Sequence, residues 1–173
     1  MPNQNSPILL RPATSKDATT IWVIIQQAIA QRKRDGSEQW QNGYPSETTV
    51  LEDINKGYGY VLEDNRGVLA YAAILFENEP AYEEITGAWV SNGPYTVVHR
   101  VATADAFKGQ GIGLMLMEKI EQLSLSRRIF SIKVDTNFDN IPMLKILDRL
   151  QYTYCGEVFF CGDMRKAYEK VLH

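Results

Sequence analysis

Apolar positions along the chain recur first at a helical period, then in alternation or short runs, and the switches between these patterns outline its elements. Ile8-Leu9-Leu10 is a short apolar run that predicts a strand. Thr14 and Asp17 have the spacing of a weak capping box, and Ala18, Ile21, Trp22, Ile25, Ala28 and Ile29 then share one helical face, which predicts a first helix. Arg32, Lys33 and Arg34 suit its carboxyl end and Gly36 its termination. Val50, Leu51 and Ile54 predict a short second helix ending at Gly57, and residues 58–62 and 68–76 predict a hairpin that turns at 63–67.

The second half repeats this alternation. Residues 77–93 are polar and interrupted by Pro80 and Gly87, which predicts a loop or an edge segment. Residues 96–102 are strand-like, and Ile112, Met115, Leu116, Ile120 and Leu123 then form the buried stripe of a long helix. A strand over 129–134 follows. Asn140-Ile141-Pro142 marks a helix start with Met143, Leu144, Leu147 and Leu150 facing inward, and 152–160 and 164–171 supply closing strands. The order predicts a mixed α/β (α+β) fold in one domain over residues 1–173, without internal repeat or linker.

Length and composition agree with one core: 173 residues at 45% hydrophobic content can fill one but are few for two. A net charge of −3 argues against a nucleic-acid partner, which requires clustered Lys and Arg. The amino-terminal stretch has neither a basic segment before an apolar core nor a run long enough to span a bilayer, so a cytoplasmic protein without a membrane partner is expected. Cys155 and Cys161 are expected to be reduced, half-buried thiols, and with only His99 and His173 beside them no metal site is expected.

Candidate chemistry concentrates in Ala106-Phe107-Lys108-Gly109-Gln110-Gly111-Ile112-Gly113. Glycines there allow positive φ and a close approach of backbone amides to a ligand. The helix that follows offers unpaired N–H groups and the positive end of its dipole, which together favour a phosphate. Each hydrogen bond to a charged group contributes about 1.5–3 kcal/mol, so two or three anchor a pyrophosphate. Nucleotide motifs fit poorly: the chain has no Gly-Lys dipeptide for a Walker loop, and Leu114 or Leu116 stands where a dinucleotide fingerprint needs its third glycine. A plain strand-to-helix turn is the alternative for the glycines alone.

The longer stretch 101–120 resembles the cofactor-binding motif of the GNAT superfamily of acyl-CoA N-acyltransferases, with Gly111 and Gly113 at its glycine positions and Lys108 where Arg or Gln is usual. Residues 134–156 resemble the strand, Asn-containing turn, helix and aromatic strand of the family's carboxyl half, with Gln151-Tyr152 in place of Gly-Phe. The resemblance implies a mixed sheet of six to seven strands, splayed between the fourth and fifth, with about four helices. It implies that coenzyme A, as acetyl-CoA, lies against the backbone of Val101, Ala102 and Thr103, with its pyrophosphate on Lys108, Gly109, Gln110, Gly111, Ile112 and Gly113. Asn137, Asn140 and Met143 fall where the family contacts the pantetheine arm or the helix carrying it.

It further implies direct attack of an amine on the thioester, with an oxyanion donor in the bulged strand near Val101. The acceptor is a small-molecule or peptide amine, and a homodimer is compatible with the family. Leu147 stands where many members carry an acidic Tyr, and Val97 where some carry a basic Glu. Tyr152 and Tyr154 are neighbouring candidates for the acid, or sheet packing. His99 lies two residues after Val97 on the same strand face with a useful ordinary pKa of about 6.5, as base or as core histidine. Glu83 and Glu84 are further candidates for the catalytic base, reaching the acceptor directly or through water, or a solvated pair, and Trp40 and Tyr44 in Gln39-Trp40-Gln41-Asn42-Gly43-Tyr44-Pro45 form an acceptor wall or cover a sheet edge. A CoA-binding sensor or interaction module without catalysis is the alternative function.

Overall fold

The structure, a computed structural model, describes residues 6–173. Residues 1–5, part of the amino-terminal stretch read above, lie outside the described residues. The chain divides into two compact units, Met1–Ala73 with Arg100–Met117 and Ile74–His99 with Glu118–His173.

In the first unit, β1 (Leu9–Pro12) pairs antiparallel with β2 (Gly59–Asp64), which pairs antiparallel with β3 (Gly67–Leu75). The end of β5 (Thr96–Thr103) is next in order; just beyond it, Ala104 N–H donates to Leu69 O at 2.9 Å. Thr14 N–H donates to Asp17 Oδ2 at 2.8 Å across a 3-10 turn (Ser15–Asp17) that opens α1 (Ala18–Arg34). Arg11 bridges Asp17 and Glu63, so one guanidinium ties β1, the start of α1 and β2 together. It holds the Asp17 carboxyl down at about 2, against an ordinary 3.8. Ile21, Ile24 and Ile25 of α1 pack with Val50, Val61, Tyr71 and Ala102 in the core; each buried aliphatic side chain contributes about 1.5–3 kcal/mol. α1 ends as the sequence suggests, with Gly36 N–H on Lys33 O and Ser37 N–H on Arg32 O, both at 3.0 Å. α2 (Glu47–Asn55) starts earlier than its apolar stripe because Ser46 caps it, accepting from Thr49 N–H.

In the second unit the order is β5, β6 (Ser131–Thr136), β8 (Asp163–Val171), β7 (Thr153–Phe160) and β4 (Thr86–Gly87). β5 and β6 are parallel and the remaining neighbours antiparallel. The β5–β6 ladder spans only Thr96↔Ile132 to Val98↔Val134, although both strands run on. This is the splay expected between the fourth and fifth strands. Among the described residues the sheet has eight strands rather than six or seven, because the polar 77–93 segment contributes the two-residue edge strand β4, after a 3-10 turn (Pro80–Glu84). Among the described residues the α-helices number four: α3 (Ile112–Ser126) and α4 (Ile141–Arg149) complete them. Of the four apolar residues assigned an inward face on α4, Leu147 is fully buried, whereas Met143, Leu144 and Leu150 are only partly covered. The two thiols also differ from expectation: Cys155 is buried within β7, and Cys161, at the tip of the β7–β8 hairpin, is exposed. Among the described residues no helix is long and apolar enough to cross a membrane, and no group of three acidic, His or Cys side chains is placed to hold a metal ion.

Candidate active site

The turn from β5 into α3 is built to present backbone amides. After a 3-10 turn (Asp105–Phe107), Gly109 and Gly111 take φ of 76° and 74°, a region open to glycine and costly for other residues. Met115 N–H is the first amide of the helix with a backbone acceptor, Gly111 O at 3.0 Å. Among the described residues, the N–H groups of Gly109, Gln110, Gly111, Ile112, Gly113 and Leu114 have none. A Cβ added at Gly109 or Gly111 would meet nothing within 4 Å, so the protein leaves the space at both residues clear. Gly113 lies in the first turn of α3. Two cations flank this turn. Arg66, from the β2–β3 hairpin, donates to Gln110 Oε1 at 3.2 Å and lies 4.9 Å over the Phe107 ring. Lys108 Nζ is 2.6 Å from Asp105 Oδ1.

Immediately before Val101, Ala102 and Thr103, the strand kinks. Arg100 has φ of 54° in the middle of β5, a conformation that costs a non-glycine residue about 1–2 kcal/mol. Its guanidinium is nearly buried and bonded through all three nitrogens: Nε donates to Asp53 Oδ2 at 2.8 Å, Nη2 to Asp53 Oδ1 at 2.6 Å, and Nη1 to the Tyr44 hydroxyl oxygen at 2.6 Å. Tyr71 also donates to Asp53 Oδ2, at 2.6 Å. Burial alone would lower the Arg100 pKa, but Asp53 and Tyr44 outweigh it and the group is held above its ordinary value. Burial, then the Asp53 charge, pushes the Tyr71 hydroxyl well up. Tyr44 thus contacts a strand arginine, and it precedes a cis peptide bond to Pro45. Trp40, with φ of 62°, is half-buried, and its neighbour Gln39 carries a buried Oε1 with no hydrogen-bond partner.

In the second unit His99 is 7% exposed and set among acids. Its Nε2 lies 3.1 Å from Glu79 Oε2, and its Nδ1 lies 3.6 Å from Asp135 Oδ1. Phe160 stacks on the ring at 4.6 Å between centroids. Tyr82 donates to Asp135 Oδ1 at 2.5 Å, and Arg165 Nε lies 3.8 Å from Asp135 Oδ2. Burial, then Asp135, pushes the Tyr82 hydroxyl well up. The acid on His99 is therefore Glu79; Glu83 is exposed, its charge bearing on Tyr95 and Lys133. Lys133 is buried with its ammonium 4.1 Å from the Tyr95 ring and 4.5 Å from the Trp89 ring, and burial lowers its pKa. On β8, Glu169 is fully buried and accepts from Val90 N–H, Ser91 and Ser131.

The remaining predicted positions also fall here. Asn137 follows β6 and holds a buried Oδ1 with no partner, which suits an arm rich in amide N–H groups. Asn140 caps α4, its Oδ1 accepting from Met143 N–H at 3.4 Å. Tyr152 is buried with an unpartnered hydroxyl; burial, then Glu121, pushes its pKa well up, and Lys170, which pairs with Glu121, lies 5.8 Å over its ring. The first unit therefore gathers Val101, Ala102, Thr103 and the 108–113 turn, together with Trp40 and Tyr44. His99, Glu83, Tyr152, Asn137, Asn140 and Met143 belong to the second. Sequence reasoning missed Glu79, Asp135, Asp53 and Arg100. Only Asp53 carries a local signal: it stands three residues after Val50 and one before Ile54, on the buried stripe of α2.

Within the first unit, the unpaired amides and the clear space at both glycines fit a ligand that carries phosphates. Comparison with known proteins agrees. The model of the Acetyltransferase (GNAT) family matches residues 25–151. A GNAT-family acetyltransferase structure from Streptococcus agalactiae 2603 is 31% identical with a TM-score of 0.88, covering 98% of this chain and 99% of that one. A GNAT-family acetyltransferase from Listeria monocytogenes 4b F2365 shares the fold at 19% identity and a TM-score of 0.75, covering 95% of each chain. The yncA protein from Salmonella typhimurium, solved with its cofactor acetyl-CoA, shares it at 15% identity and a TM-score of 0.67, covering 98% of this chain and 95% of that one. No curated protein matches the sequence. With a family model matched over most of its length and a close structural counterpart across nearly all of it, the chain belongs to the acetyltransferase (GNAT) family.

Proposed function

We propose that this protein, acting as one catalytic domain, transfers an acetyl or similarly short acyl group from acetyl-CoA to a primary amine of a small molecule or peptide. The observation that carries the reading is the run of amides from Gly109 to Leu114 without internal acceptors at the start of α3, with both positive-φ glycines facing open space. Bound acetyl-CoA supplies an activated thioester carbonyl. The chain's own residues then have four tasks. The 109–114 amides and the α3 dipole hold the pyrophosphate. In the second unit, the buried Asn137 Oδ1 without a partner is an acceptor for an amide N–H. Val101 N–H, which follows the kink at Arg100, would donate to the oxygen on which charge develops. His99 and Glu79, 3.1 Å apart, take up and hold the proton that the acceptor ammonium loses. Because His99 is buried, Glu79 or a water is its contact with that ammonium. Positioning of two reactants supplies the remainder of the acceleration. Tyr152 is given no part.

A second reading, CoA binding without transfer, is favoured by Leu147 and Val97, both fully buried apolar residues, where many members of the family carry an acid and some a base, respectively. One assay separates the two. Purified protein is mixed with acetyl-CoA and a panel of primary amines, and free thiol is followed alongside CoA-dependent thermal stabilisation. Thiol release with at least one amine supports the transferase, whereas stabilisation without release under every amine supports the binding module.

A further inference from the structure

We infer that Asp53 and Tyr44 are positioning residues whose task is to lock the Arg100 kink and thereby aim the Val101 amide; this inference rests on the acetyl-transfer reading. The starting observation is a mismatch between residue and conformation. A left-handed residue in the middle of a strand is ordinarily glycine, which adopts it freely, yet position 100 is an arginine with φ of 54°. Such a conformation persists only where its surroundings over-determine it. Here they do. Asp53, from the last turn of α2, takes two hydrogen bonds from the guanidinium, and the Tyr44 hydroxyl takes a third. Tyr71, fully buried on β3, fixes Asp53 in turn at 2.6 Å.

Asp53 is itself held by its helix end. Tyr58 N–H donates to Asp53 O at 2.8 Å and Gly57 N–H to Ile54 O at 3.1 Å, so the carboxylate projects from a closed turn. Tyr44 gives a use to the turn-rich aromatic segment that chain reversal alone leaves unexplained. A buried ion pair contributes little net stability over well-packed apolar residues, so holding one conformation of β5 accounts for the cluster better than stabilisation does. That conformation decides where the next peptide, carrying Val101 N–H, points. The clamp therefore acts through Val101 and touches no substrate itself.

The test uses variants that separate the kink from the fold. Tyr44→Phe removes one hydroxyl. The pair Asp53→Asn/Arg100→Gly and Asp53→Asn/Arg100→Ala both remove the clamp, but only glycine keeps positive φ without strain. Each protein is loaded with acetyl-CoA labelled with carbon-13 at the thioester carbonyl, and the carbonyl resonance, acetyl-CoA affinity and kcat are recorded. A donor on that oxygen moves the bound resonance downfield of free acetyl-CoA. The expected result is a downfield resonance in the wild-type protein, a partial return toward the free value in Tyr44→Phe with kcat reduced about fivefold and KM for acetyl-CoA within about twofold. The glycine double variant is expected to exceed the alanine one about tenfold in kcat and to keep more of the carbonyl shift. Wild-type carbonyl position and kcat in Tyr44→Phe, or equal behaviour of the two double variants, would overturn the clamp. Should the double variants not fold, Tyr44→Phe decides alone. Failure of the acetyl-transfer reading looks different: the wild-type protein then releases no thiol with any amine, whatever its carbonyl resonance shows.

Discussion

Replacing Gly111 by alanine separates ligand binding from stability in a way the structure allows to be worked out beforehand. The new Cβ meets no protein atom within 4 Å, so the substitution adds no clash. What it adds is backbone strain at φ of 74°, about 1–2 kcal/mol for an L-residue with a side chain. The amides from Gly109 to Leu114 have no backbone acceptors among the described residues, and Gly111 itself is tied to the helix through its carbonyl, which accepts from Met115 N–H at 3.0 Å. In the free protein the unpaired amide side of the turn is open to relax about that one bond and shed strain; on binding CoA the conformation must be restored. The cost thus falls on affinity, weakening CoA about 5–30-fold, while the melting temperature changes little. Gly36→Ala is the internal control. Its φ is 76° and its Cβ likewise meets nothing, but its turn is held by the Gly36–Lys33 and Ser37–Arg32 bonds. There the strain cannot relax, so stability falls by about 1–2 kcal/mol and CoA affinity is unchanged. Isothermal titration with CoA and thermal melts of both variants read the two quantities. Equal CoA affinity in Gly111→Ala and the wild-type protein, with a lowered melting temperature, would refute the reasoning.

Three further outcomes follow from the geometry. His99→Ala lowers kcat about tenfold or more with the fold intact, since a positioned proton acceptor contributes about 100-fold or more; an unaltered kcat in steady-state kinetics would leave His99 a core residue only. Asp17 has a carboxyl pKa lowered to about 2 by Arg11, so the folded state takes up its proton less readily than the unfolded chain. The stability it contributes is complete above the ordinary 3.8 and is lost as pH falls toward 2; in urea titrations the advantage of the wild-type protein over Asp17→Asn therefore shrinks across that window, and a constant difference would contradict the pairing. Tyr152→Phe deletes a buried hydroxyl without a hydrogen-bond partner, so stability is unchanged or slightly raised and kcat stays within about twofold. A tenfold loss of kcat with the fold intact would return Tyr152 to the role of acid.

Elements with a strong period were legible in the sequence, since α1, α3 and the β2–β3 hairpin carry their burial pattern locally. The eighth strand was not: Thr86 and Gly87 are both exposed, and only pairing with Glu157 and Gly156, far along the chain, makes them a strand. The glycine turn could be read because its chemistry lies in consecutive backbone amides. The surroundings of His99 could not, because Glu79, Asp135 and Phe160 come from a 3-10 turn, β6 and β7, and nothing in their local sequence marks them as neighbours. Arg100 is the clearest case of a hidden residue. In the sequence it is one more polar position in a strand, and the partners of its guanidinium stand 47 and 56 residues away.

Backbone amide resonances of the 109–114 turn, followed while CoA is titrated into the nitrogen-15-labelled protein, test the assignment of that turn to the pyrophosphate most directly. The expected result is a saturable downfield movement of the Gly109, Gly111, Ile112 and Gly113 N–H signals, as amides without internal acceptors gain phosphate oxygens. Saturation of binding with those signals unmoved would contradict it.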